Sequence, residues 1–211
     1  MDSNEQQTCV QKKPDAKAAA KIVRTIGEIE QSYISATGPL SERLMTEIGE
    51  VAGKAAHDTW EVDGTEWELF ITSPDWKCTR GRARGDAWLE LGDIIEDVHD
   101  HSWIAVAVGA GAAQMCLELK FRNGLTPIDT CLKSSPQLLA KLAEQGFELR
   151  DDRTRLLLGI KVEADALAKA FESGNFEAAL TPVRHAVRSA ATVHQEITDL
   201  VGLARIKAKQ G

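Results

Sequence analysis

The sequence predicts an α+β protein, with a largely antiparallel sheet of about five to seven strands flanked by an N-terminal helical hairpin and a long C-terminal helix. Three observations carry that prediction. Near both ends of the chain, apolar residues recur at alternating steps of four and three. Through the middle they alternate with polar residues. The regular strand–helix alternation of a nucleotide-binding α/β fold is missing, together with GxGxxG and GxxxxGK(S/T).

The first helix is expected over 15–36, where Ala19, Ile22, Ile26, Ile29 and Tyr33 share a face. Gly38-Pro39 ends it. Ser41 precedes a second amphipathic run through Leu44, Ile48, Val51 and Ala55, so the two read as a hairpin. Beyond Trp60 the period drops to two: Trp67, Leu69 and Ile71 alternate with Glu66, Glu68 and Phe70, and Ala87, Leu89 and Leu91 with Trp88 and Glu90. Segments 103–108 and 112–122 read as a hairpin turned through Gly109-Ala110-Gly111. Its second strand sends Met115, Leu117, Leu119 and Phe121 to the core and Cys116, Glu118, Lys120 and Arg122 the other way. After a loop at Pro127 come a short helix over 136–145, closed by Gly146, and a hairpin of 147–150 with 155–162. A helix over 164–172 stops at Gly174. Asn175 then caps a terminal helix with the stripe Phe176, Leu180, Val183, Val187, Ala190, His194, Ile197, Val201 and Ala204. Pro182 kinks that helix or restarts it at Thr181. Much of this stripe is expected to pair with the first helix, which leaves Ile197, Val201 and Ala204 as the place for a helix-mediated dimer contact. His194 reads as a polar register or hydrogen-bonding residue within the seam.

Residues 1–13 read as a disordered leader and 14–211 as one domain, with the helical hairpin in 14–57, a sheet-rich core with one short helix in 58–162, and the C-terminal helices in 163–211. A chain of 211 residues, 43% hydrophobic, can bury a sizeable core, and its net charge of −7 disfavours general binding of nucleic acid or anionic membrane. The polar first residues lack the apolar segment of a signal peptide, and no apolar run is long enough to span a bilayer as a helix. Cys9, Cys78, Cys116 and Cys131 form no CxxC pair and read as free thiols of a cytoplasmic protein.

Three segments carry chemistry-bearing residues. In the first, 76–85, Lys77, Arg80, Arg82 and Arg84 supply four bases beside Trp76, with Gly81 and Gly85 opening the backbone to close approach. Guanidinium forks grip phosphate and an indole stacks on a base, so the segment suits nucleic acid or a phosphorylated partner. Six carboxylates, Asp86, Glu90, Asp93, Glu96, Asp97 and Asp100, follow within 15 residues, and neutralisation of the loop by that run is the plainer alternative.

The second segment is Glu118-Leu119-Lys120 on a strand. This Glu-x-Lys resembles the PD-(D/E)xK nucleases, a resemblance that covers three residues. It implies a divalent cation held by Glu118 and an acid such as Asp93, or Asp75, with Glu47 or Glu50 contributed from the preceding helix and Lys120 orienting water. Surface pairing of Glu118 with Lys120 across an amphipathic strand explains the same residues. In the third segment, Asp97, His99 and His101 would face one side of an extended chain and hold a metal if His57 or Cys78 completed the shell; a polar turn is the alternative.

Five tryptophans lie within 60–103. Together with the basic loop they lead to a non-enzymatic, cytoplasmic, oligomeric interaction protein, with Trp76, Lys77, Arg80, Arg82 and Arg84 touching a protein partner and no cofactor required. The alternative is a metal-dependent nuclease or nucleic-acid-binding protein using Asp93, Glu118 and Lys120.

Overall fold

The computed structural model describes residues 15–65, 67–77, 85–95, 101–110, 113–150 and 155–208. The leader expected over 1–13 lies outside them. The chain divides into two compact units, Met1–Ser35 and Ala36–Gly211. The first holds most of helix α1 (Ala16–Thr37), whose apolar stripe is exposed: Ile22, Ile26 and Ile29 keep 51%, 48% and 45% of their surface.

The second unit opens with α2 (Pro39–Ala55). Gly38 breaks the preceding helix and Pro39 starts the new one, where its missing N–H costs nothing. Helix α2 buries Leu44, Ile48, Val51 and Ala55 on one face. Six strands then form a single sheet: β1 (Glu61–Gly64), β2 (Leu69–Thr72), β3 (Ala87–Ile95), β4 (Ala113–Phe121), β5 (Glu148–Arg150) and β6 (Arg155–Ile160), in the order β1-β2-β3-β4-β6-β5. Every neighbouring pair is antiparallel. The helices α3 (Trp103–Val108), α4 (Ile128–Lys133), α5 (Pro136–Glu144), α6 (Ala164–Ser173), α7 (Thr181–Thr192) and α8 (His194–Lys207) complete the described elements. No helix among the described residues is long and apolar enough to cross a membrane.

Register decides which side chains share a face. Leu89 lies opposite Leu119, and Leu119 opposite Leu156; Leu91, Leu117 and Leu158 form the next row, and Met115 meets Ile160. These leucines pack with α2, α7 and α8 residues in one large apolar cluster. The opposite face carries Glu90, Glu118 and Leu157 in one row and Gly92, Cys116 and Gly159 in the next. Its apolar residues form a separate small cluster of Ile94, Cys116 and Leu157, to which no helix contributes. Among the described residues, the large helix-lined cluster lies on the first face, while on the second Phe70, Ile94, Cys116, Glu118 and Leu157 are buried beneath their own neighbours.

Three expectations are corrected. Segment 103–108 is a helix and not a strand, and β3 pairs directly with β4. Six apolar residues fit either period; the ends decide, since Ser102 Oγ accepts the Ala105 N–H at 3.2 Å and Gly109 closes the turn at φ 68°. The C-terminal helix is two helices. Pro182 stands in the first turn of α7, residues 176–180 precede it as turns, and Val193 separates α7 from α8. The stripe survives the break. Phe176, Leu180, Val183, Val187, Ala190, Ile197, Val201 and Ala204 are all buried, and α7 packs on α2 while α8 packs on α4 and α5. Ile197, Val201 and Ala204 are therefore core residues of their own chain, not a dimer contact. Ile197→Ala is expected to lower unfolding free energy in urea by about 3 kcal/mol, the cost of a cavity in a tight core.

Candidate functional site

The basic loop is anchored by groups at and beyond its ends. Trp76 is fully buried in a short 3-10 turn begun by Ser73, whose Oγ accepts the Asp75 N–H, and its indole Nε1–H donates to Thr198 Oγ1 at 3.0 Å. It is a core anchor, which corrects its expected place on an exposed stacking surface. Across the loop, the Asp86 N–H donates to the Trp76 carbonyl at 2.8 Å. Gly85 makes that approach feasible: its φ is 71°, and a Cβ there would stand 2.9 Å from the Trp76 carbonyl oxygen.

Asp86 itself is 3% exposed. Its Oδ1 accepts from Arg122 Nε at 2.7 Å and its Oδ2 from Arg205 Nε at 2.8 Å. Arg205 Nη1 and Nη2 reach on to the carbonyls of Asp75 and Lys77 at 3.4 and 3.3 Å. Burial pushes the Asp86 carboxyl up, but the two guanidiniums outweigh it and hold the group below its ordinary value. Lys77 pairs with Glu61 on β1. Arg80, Arg82 and Arg84 lie outside the described residues.

The Glu-x-Lys residues do not assemble as the nuclease resemblance implies. Asp93 lies opposite Met115, on the face that the helices cover, whereas Glu118 and Lys120 occupy the open face. Glu90 takes the position beside them, directly opposite Glu118. Two facing carboxylates repel, and two cations relieve them. Glu118 Oε2 accepts from Arg155 Nη2 at 2.6 Å and meets Lys120 Nζ at 3.4 Å; Lys120 Nζ stands 3.7 Å from Glu90 Oε1. Glu90 Oε2 also accepts the Trp88 indole N–H at 2.8 Å. The Glu118 hydrogen bond raises the affinity of Arg155 for its proton despite partial burial. Beneath this network, burial pushes the Cys116 thiol up to about 12, far from a reactive thiolate. Glu90 was noted from the sequence only as one carboxylate of the acidic run, and Arg155 was not singled out. The alternation through Trp88 and Glu90 was a signal for the first; the second depends on pairing of β6 with β4.

A cluster of rings sits behind the loop base. His194 Nδ1 accepts the Trp60 indole N–H at 2.9 Å, so the ring proton lies on Nε2, 2.9 Å from Asp75 Oδ2. His57 stacks on His194 at 5.0 Å and 13°, and Trp76 stacks on His194 at 5.8 Å and 28°. Both imidazole nitrogens of His194 are engaged, so it joins α8 to Trp60 and to the 3-10 turn and has no lone pair left for a substrate proton. Of the expected metal ligands, Asp97, His99 and Cys78 lie outside the described residues, His101 is half-buried, and His57 stacks as above. Among the described residues no group of three His, Cys, Asp or Glu side chains is placed to hold a metal.

No family model matches the chain, and no curated protein or solved structure shows significant similarity to it.

Asp86→Asn is expected to cost about 3 kcal/mol, because it leaves Arg122 and Arg205 facing a neutral amide in a buried place. The pH dependence has a fixed sign. A depressed carboxyl stabilises the fold above the ordinary aspartate value of 3.8 and loses that contribution as pH falls through the lower folded value. Urea unfolding from pH 6 down to about pH 2 should show a steeper loss for the natural chain than for Asp86→Asn. Equal slopes would remove Asp86 as the clasp.

Proposed function

We propose that the protein is a non-enzymatic, cytoplasmic interaction protein that holds a protein partner on the open face of its sheet, with the basic loop of residues 76–85 contributing beside it. The observation that carries this reading is the composition of that face. Antiparallel sheets commonly leave one face to water, and that face is then polar throughout. Here it carries the half-buried Trp88, with Phe70, Ile94, Cys116 and Leu157 beneath a closed network of two carboxylates and two cations.

Such a network supports recognition better than metal chemistry. A divalent cation needs carboxylates with free lone pairs and residual negative charge. Glu118 is instead bonded to Arg155 and flanked by Lys120, and Glu90 is bonded to Trp88. The same bonds fix the side chains before a partner arrives, which lowers the entropy lost on binding. Tryptophan and arginine near the centre of a patch are the residue types that dominate protein interfaces. Trp88 is the second residue of strand β3, which begins at Ala87 just beyond Gly85 and Asp86 at the loop base, so the face and the loop base adjoin along the chain.

The test compares capture by the natural chain with capture by Trp88→Ala and Lys120→Glu from cells that make the protein, followed by affinity measurement on the partner recovered. Loss of a central anchor is expected to weaken binding about thirtyfold. Equal binding by all three chains would show that the open face is not the contact. Cleavage of DNA or RNA with magnesium or manganese, abolished by Glu118→Gln, would establish the nuclease instead. Binding of single-stranded nucleic acid lost on replacing Arg80, Arg82 and Arg84 by Ala would move the partner to another class.

A further inference from the structure

The hairpin of β1 and β2 forms a concave end to the open face. Glu61 lies opposite Thr72 and Asp63 opposite Phe70, and Phe70 in turn lies opposite Glu90 on β3, so these side chains share one face. Between them is a cavity of about 240 Å³, with Glu68 at its turn end. Its floor is built from the buried Phe70 and Thr72, and its rim from the exposed acids Glu61, Asp63 and Glu68. The turn holds that rim in place. Thr65 Oγ1 accepts the Glu68 N–H at 3.2 Å, and Gly64 packs so closely that a Cβ there would stand 2.9 Å from the Glu68 carbonyl oxygen.

Charge sets this cavity apart from the rest of the face. Glu90 and Glu118 are matched by Lys120 and Arg155. At the hairpin Lys77 meets Glu61 at 2.5 Å, but no basic residue among the described ones lines the cavity, and Asp63 makes no ion pair with any of them. Three acids against one base leave the cavity negative. Acids on an edge strand also repel other strands, a role that asks nothing of the floor. Thr72 points to more than that. It keeps only 8% of its surface, yet its hydroxyl has no hydrogen-bond partner among the described residues. No fully enclosed polar side-chain atom among those residues goes unpaired, so Thr72 Oγ1 opens into the cavity it lines. It is a fixed acceptor waiting at the floor.

A fitting occupant carries positive charge, presents donors in several directions and lays an apolar stem on Phe70. A guanidinium on its methylene chain meets all three demands, being planar, permanently charged and forked. An ammonium is a compact, strongly hydrated point charge and serves separated acceptors less well.

We propose, on the footing that the open face is the contact surface, that this cavity binds one arginine side chain of the protein partner, its guanidinium between Asp63 and Thr72 Oγ1 and its stem on Phe70.

The test titrates N-acetyl-arginine amide into the isotopically labelled full chain and follows the amide proton–nitrogen spectrum. Shifts should concentrate at Asp63, Gly64, Glu68 and Thr72. Asp63→Asn should weaken the probe about fivefold, the range of one exposed charge pair. Thr72→Val should weaken it about tenfold, for one hydrogen bond from a charged donor, without lowering stability to urea. N-acetyl-lysine amide should bind more weakly than the arginine probe. Shifts confined to other regions would overturn the proposal, as would no binding or equal binding of the lysine probe. Undiminished binding by both variants, or a Thr72→Val chain that unfolds more easily, would do the same. Trp88→Ala separates the two contacts, since it should lose the partner and keep the probe. A probe that fails while capture still depends on Trp88 removes the arginine cavity alone; a probe that binds while Trp88→Ala captures normally removes the sheet contact alone.

Discussion

The second unit of the chain depends on one buried carboxylate. Asp86 is sequestered from water yet keeps its charge, and a buried charge persists only with partners of opposite sign. Arg122 comes from just beyond β4, Arg205 from α8, and Asp86 itself from the residue before β3. One group thus fixes the edge of the helical layer against two central strands. Because Arg205 also reaches the carbonyls of Asp75 and Lys77, the same clasp sets the start of the basic loop. Trp76 and the ring cluster of Trp60, His57 and His194 pack behind it, so the loop base is held by both charge and apolar contact.

The fold was legible wherever periodicity extended over several turns or strand pairs. The helices at either end, the alternation through β3 and β4, and the hairpin of β5 with β6 follow from patterning alone. Segment 103–108 did not, because six apolar residues satisfy both periods and the decision rests on a serine cap and a left-handed glycine. The division at Val193 is similar: the apolar stripe continues across the junction between α7 and α8, so periodicity carries no sign of it.

The candidate site was legible only in part, for a reason of distance along the chain. Lys120 and Glu118 are neighbours in sequence, and their pairing is visible there. Glu90 joins them only through the β3–β4 register, and Arg155 only because β6 crosses back beside β4. Asp93, closer in sequence to the expected role, falls on the other face by the alternation of a strand. His194 shows the same limit. Its stripe position suggested a hydrogen-bonding role, but its partners Trp60 and Asp75 lie more than a hundred residues away. Carboxylates that look available in sequence, Glu118 and Glu90, are thus committed to Arg155, Lys120 and Trp88 in the fold.

The closure between Trp76 and Asp86 has a consequence for how this protein can vary. Among the described residues, the groups that pin the two ends are the Trp76 carbonyl, the Asp86 amide, and the arginines at 122 and 205. Gly85 is dictated by backbone geometry. These anchors do not belong to the span itself, so a change in its length leaves them available to close the same base. Loop closure grows only slowly more costly with length. A frame that closes the base from outside is suited to engineering, and a short glycine–serine insertion between Cys78 and Arg84 is a direct use of it.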